Sequence, residues 1–103
     1  MEAQRIIVTG GATRIGAAIA EKLSGPNKQI VIQYNKSKSK AENLKKKLQN
    51  YGAKIYLVKG DLSKEKDIYK IIKFSKSKLK YFDCLINNAS LFENDKLENF
   101  NLK

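Results

Sequence analysis

The chain has 103 residues, 42% of them hydrophobic, which suits one small globular domain and argues against disorder. No apolar run approaches membrane-spanning length, no signal-peptide core follows Met1, and histidine is absent, so a cytoplasmic protein with no membrane partner and no metal site is expected. The net charge of +11 raises nucleic acid as a partner, but Arg5 and Arg14 are the only arginines, and the lysines from Lys36 to Lys47 and from Lys64 to Lys80 read as solvated helix faces, so no nucleic-acid partner is expected.

Arg5 to Thr9 reads as a short strand, apolar rather than alternating, as in a parallel sheet buried on both faces. A glycine-rich turn follows. Ile15, Ile19 and Leu23 then recur at helical spacing, and Gly25-Pro26 ends that helix. Gln29 to Tyr34 is a second apolar strand. Ser39 and Glu42 have the spacing of a capping box for a second helix, with Leu44, Leu48 and Tyr51 on its inner face and Gly52 at its end. Lys54 to Val58 is a third strand, and Ser63 is placed to cap a third helix whose buried stripe is Ile68, Ile71, Ile72 and Leu79. Asp83 to Ile86 is a fourth strand, in which Cys84 is expected to be a buried structural thiol. The order β-α-β-α-β-α-β predicts an α/β fold, a Rossmann-like doubly wound parallel sheet in spatial order 3-2-1-4.

The chemistry lies in the first turn, Thr9-Gly10-Gly11-Ala12-Thr13-Arg14-Ile15-Gly16. A pyrophosphate needs backbone N–H donors and the positive end of a helix, with glycine wherever a side chain would block its approach. Gly10, on the bend out of the strand, and Gly16, at the helix start, meet those demands. The hydroxyls of Thr9 and Thr13 can bond either the phosphate or the turn itself. Arg14 adds a cation at the mouth. At the end of the second strand an acid would select NAD by accepting from the ribose, and none is present. The segment is Tyr34-Asn35-Lys36-Ser37, whose cation and hydroxyl suit a 2′-phosphate, so NADP is the expected cofactor.

Taken with Gly60-Asp61-Leu62 after the third strand and Asn87-Asn88-Ala89-Ser90 after the fourth, the glycine turn resembles that of the short-chain dehydrogenase/reductase family along essentially the whole chain. Arg14, Ser90, Phe92 and the Tyr34 to Ser37 segment resemble the pteridine reductases and dihydromonapterin or dihydrofolate reductases within it. The resemblance implies cofactor contacts at Gly10, Thr13, Arg14, Ile15, Gly16, Tyr34, Asn35, Lys36, Ser37, Asp61, Leu62, Asn88, Ala89 and Ser90. Asp61 would bond the adenine amino group and Leu62 would pack beside the ring. Arg14 and Ser90 would reach a pterin, and Phe92 would stack on it. Asn87 and Asn88 are expected to stabilise a turn rather than act in acid/base chemistry.

The family's catalytic tyrosine and lysine, separated by three residues after a fifth strand, have no counterpart here. Tyr34 with Lys38 and Tyr69 with Lys73 have the spacing at the wrong places. Residues 1–103 are therefore expected to be the NADP-binding N-terminal half of one domain, without catalytic residues, from an oligomeric NADPH-dependent pterin reductase. The alternatives are a 3-oxoacyl-acyl-carrier-protein or general carbonyl reductase on the same fold, and a non-catalytic nucleotide-binding module.

Overall fold

The computed structural model describes residues 4–88. Within them the chain runs β1 (Gln4–Thr9), α1 (Arg14–Leu23), β2 (Lys28–Tyr34), α2 (Lys38–Gln49), β3 (Lys54–Lys59), α3 (Glu65–Leu79) and β4 (Cys84–Asn87). All pairings are parallel, and the sheet order is β3-β2-β1-β4. This is the Rossmann-like arrangement expected from the sequence.

The apolar strand runs divide between two cores because successive side chains point to opposite faces. Ile6, Val8, Ile30, Ile32 and Ile55 pack with Ala20 of α1 and Leu44 and Leu48 of α2. Ile7, Val31 and Val58 pack on the other face with Ile68, Ile71 and Leu79 of α3. The register stacks Ile6 beside Ile30 and Ile30 beside Ile55, so each layer of the first core crosses three strands. Gly52, with φ +95°, turns the chain out of α2 into β3, as its place in the sequence suggests.

Several expectations are corrected. Ile15 is 66% exposed: α1 rests on the sheet through Gly16 and Ala20, which turns its first residues toward the open end. Ser39 lies inside α2, whose N-cap is Ser37 with no side-chain bond, so the capping-box spacing is not used. Tyr51 lies beyond the last turn of α2 and is exposed. Ser63 does not cap α3, whose N-cap is Lys64; its hydroxyl donates to Asp61 Oδ1 instead. Cys84 is exposed, because β4 is an outer strand of the described sheet with only β1 beside it.

Candidate functional site

The residues singled out in the sequence gather at the C-terminal ends of the strands, the edge where open α/β sheets bind ligands. Gly10 to Gly16 leaves β1, Tyr34 to Ser37 leaves β2, Gly60 and Asp61 leave β3, and Asn88 follows β4.

The turn after β1 is held closed by its own side chains. Gly10 has φ +64°, a backbone conformation that glycine adopts without strain. The Thr13 hydroxyl donates to the Gly10 carbonyl at 2.7 Å and accepts from the Gly16 N–H at 3.1 Å, capping α1. It also accepts from Asn88 Nδ2 at 3.0 Å. Thr9 Oγ1 lies 2.9 Å from Asn87 Oδ1 as donor and accepts from the Asn88 N–H at 3.0 Å. Both threonine hydroxyls thus bond the turn and its neighbours. The two asparagines tie the ends of β1 and β4 together, as expected of turn-stabilising residues.

These bonds determine which donors the turn presents. The Gly10 N–H goes to Gln33 Oε1 at 2.7 Å, the Gly11 N–H to the Gln33 carbonyl at 3.1 Å, and the Thr13 N–H to the Gly10 carbonyl at 3.1 Å. Among the described residues the N–H groups of Arg14 and Ile15, the first two of α1, have no partner. They point out of the helix's positive end, beside the exposed side chains of both residues. Gly16 permits the approach, since a Cβ there would stand 2.1 Å from the Gly10 oxygen. The donors left open at the head of α1 are therefore backbone N–H groups.

At the other end, Asp61 Oδ1 accepts from the Ser63 hydroxyl at 2.7 Å and the Ser63 N–H at 2.9 Å. These bonds hold its carboxyl below the ordinary 3.8, with the charges of Lys64 and Lys36 assisting. The loops after β2 and β3 lie side by side, the Gly60 N–H donating to the Tyr34 carbonyl at 2.9 Å. Asn35, Lys36 and Ser37 are exposed there, while Tyr34 is buried. Leu62 is buried, in one cluster with Ile68 and Ile71. Ala89, Ser90 and Phe92 lie outside the described residues.

Tyr69, which has Lys73 at the catalytic spacing, is 59% exposed on α3. It sits on a helix flank rather than at the strand ends. Among the described residues no group of three or more metal-binding side chains forms, and no helix is long and apolar enough to cross a membrane.

Sequence reasoning missed Gln33. It is 3% exposed and bonds both loops that matter: Gly10 through Oε1, and the Gly60 carbonyl through Nε2 at 2.7 Å. The signal was available, since a glutamine within the run Ile30-Val31-Ile32-Gln33-Tyr34 of a strand buried on both faces must find partners.

Known proteins share this arrangement. Residues 4–103 match the family model for short chain dehydrogenases. A Bacillus subtilis protein, the short-chain dehydrogenase/reductase homolog YusS, is 32% identical over 85 residues, covering 82% of this chain and 78% of its own. The short-chain dehydrogenase/reductase from Serratia marcescens BCRC 10948 superposes with a TM-score of 0.82 at 26% identity, over 88% of this chain and 37% of that one. A short chain dehydrogenase from Burkholderia cenocepacia J2315, solved in complex with NADP, superposes at 0.80 with 27% identity, over 89% of this chain and 38% of that one. The chain thus spans well under half the length of these solved relatives, and it belongs to the short-chain dehydrogenase/reductase family of oxidoreductases.

Proposed function

We propose that this chain is the NADP(H)-binding half of a reductase domain, and that the whole protein reduces a pterin-like C=N or C=O substrate by hydride transfer from NADPH. The observation that carries the cofactor reading is the pairing of open Arg14 and Ile15 N–H groups at the head of α1 with an acid-free, lysine-bearing end of β2. Arg14 and Ile15 would hold the pyrophosphate, Lys36 and Ser37 the 2′-phosphate, and Asp61 the adenine amino group. Asn88 would keep the turn in place through Thr13. The Burkholderia relative's NADP agrees with this choice. When bound, the nicotinamide supplies the hydride; the protein supplies position.

The pterin reading rests on Arg14, exposed at the mouth, together with Ser90 and Phe92. Calorimetric titration of the chain with NADPH and NADH tests the first part. NADPH should bind at least about tenfold more tightly, a difference of about 1.4 kcal/mol, and Lys36→Ala should remove most of that preference. Equal affinities, or no binding of either, would overturn the reading. NADPH consumption by this chain with a dihydropterin is not expected, because Tyr34 with Lys38 and Tyr69 with Lys73, on the β2–α2 segment and on α3, do not stand after a fifth strand, where the family's catalytic pair lies. Protection of Phe92 fluorescence or shifts of its NMR signals by a dihydropterin, and not by a 3-oxoacyl thioester, would separate the pterin reading from its nearest rival.

A further inference from the structure

We propose that Gln33 is a positioning residue for the dinucleotide, whose side-chain amide clamps the glycine turn to the Gly60–Asp61 loop and so holds the seats of the pyrophosphate and the adenosine at one separation. The inference rests on the nucleotide-binding reading above. Gln33 is the second-last residue of β2, the strand that lies between β1 and β3. The two loops leave the ends of those flanking strands. Oε1 accepts from the Gly10 N–H and Nε2 donates to the Gly60 carbonyl, each at 2.7 Å. The partners fix the orientation of the amide, since an N–H must face its oxygen and a carbonyl its NH2 group.

The main chain of β2 also touches both loops, through Gln33 O to the Gly11 N–H and Tyr34 O to the Gly60 N–H. Those contacts tie each loop separately to the strand. Among the described residues the Gln33 side chain alone joins Gly10 to Gly60 in a single continuous bridge. An apolar residue would fill the space at 3% exposure without making that bridge. The bridge also occupies the Gly10 N–H, which directs an anion to Arg14 and Ile15 instead.

A ligand that binds both loops at once benefits from their fixed separation; a ligand that binds one loop does not. In Gln33→Met the affinity for NADPH should therefore fall by at least about tenfold, while that for adenosine 2′-monophosphate, which carries no phosphate for the glycine turn, changes by less than about threefold. A merely structural role would lower both by a common factor, and that result would overturn the proposal. Amide hydrogen exchange supplies a readout without nucleotide. The Gly10 N–H should lose protection in Gln33→Met while the Gly11 N–H, bonded to main chain, keeps it; unchanged Gly10 protection would also overturn the proposal. If Gln33→Met fails to fold, Gln33→Asn serves in its place, because its shorter amide reaches only one of the two partners and should give the same pattern with smaller factors. A wild-type chain that does not bind NADPH defeats the nucleotide reading itself, before any variant is compared; a binding wild type with an unaltered variant defeats only the clamp.

Discussion

Replacing Gly16 by alanine tests how tightly the turn is built. The new Cβ would stand 2.1 Å from the Gly10 oxygen, 2.8 Å from the Gly10 carbonyl carbon and 2.9 Å from Asn88 Nδ2. The turn would have to retreat by roughly 1 Å to restore a tolerable contact in a close-packed site. It cannot do so freely, because the same oxygen accepts from the Thr13 hydroxyl and the Thr13 N–H. Overpacking of this kind costs about 1–3 kcal/mol, and each hydrogen bond lost adds about 1 kcal/mol. Alanine's better helix propensity returns at most about 1 kcal/mol. The balance is a loss of about 2 kcal/mol, or a fall in Tm of roughly 8–16 °C for a chain this size. Thermal unfolding followed by circular dichroism measures it. Ala18→Gly, at an exposed position of α1, is the control and should cost only about 0.5–1 kcal/mol. Removing the Asn88 side chain should not rescue Gly16→Ala, since the nearest obstacle is backbone. A Gly16→Ala protein as stable as the wild type would refute the reasoning, and one rescued by Asn88→Ala would show that the wrong contact was blamed.

Thr13→Ala removes the cap of α1 together with the hydroxyl's bonds to Gly10 and Asn88, so chemical denaturation should show a loss of about 1–2 kcal/mol, most of it restored by Thr13→Ser. Asp61 should titrate below 3.8 in carbon-detected NMR, and Ser63→Ala should raise it toward that value, because the Ser63 hydroxyl is the largest cause of the depression. A depressed carboxyl contributes its stabilisation fully above the unfolded pKa and loses it as pH falls through the lower folded value, so this loop should loosen only in that acid range. An Asp61 titration indifferent to Ser63→Ala would mean that the turn does not hold in solution.

Periodicity and order carried the fold. Val and Ile runs at β1, β2 and β3 declare strands covered on both faces, and helices between them leave one common sheet topology. The errors fall where a local pattern competes with a partner distant in sequence. Ile15 continues the spacing of Ile19 and Leu23, yet α1 needs Gly16 and Ala20 against the sheet, which leaves Ile15 facing outward. Ser63 has the residue type of a cap, but the Asp61 carboxylate two residues before it takes its hydroxyl. Cys84 sits in an apolar run, and only the sheet order reveals that its strand is an outer one among the described residues.

The site follows the same division. In the proposed reading, glycine spacing marks a backbone cradle for an anion, and the missing acid after β2 favours NADP. Which N–H groups remain open is a different question, settled by long-range bonds. The Gly10 N–H belongs to Gln33, and the Thr13 hydroxyl is engaged by Gly10, Gly16 and Asn88, a residue 75 positions away. A motif written as a string treats Gly10, Thr13 and Gly16 as contacts to the ligand. In the folded turn their bonds go to one another and to Gln33 and Asn88, and under the proposed reading the head of α1 at Arg14 and Ile15 is the surface that would meet the anion. Substitutions at Gly10, Thr13 or Gly16 should therefore act through stability and turn shape together, whereas a side-chain change at Ile15, whose N–H is the donor, should leave phosphate affinity nearly untouched.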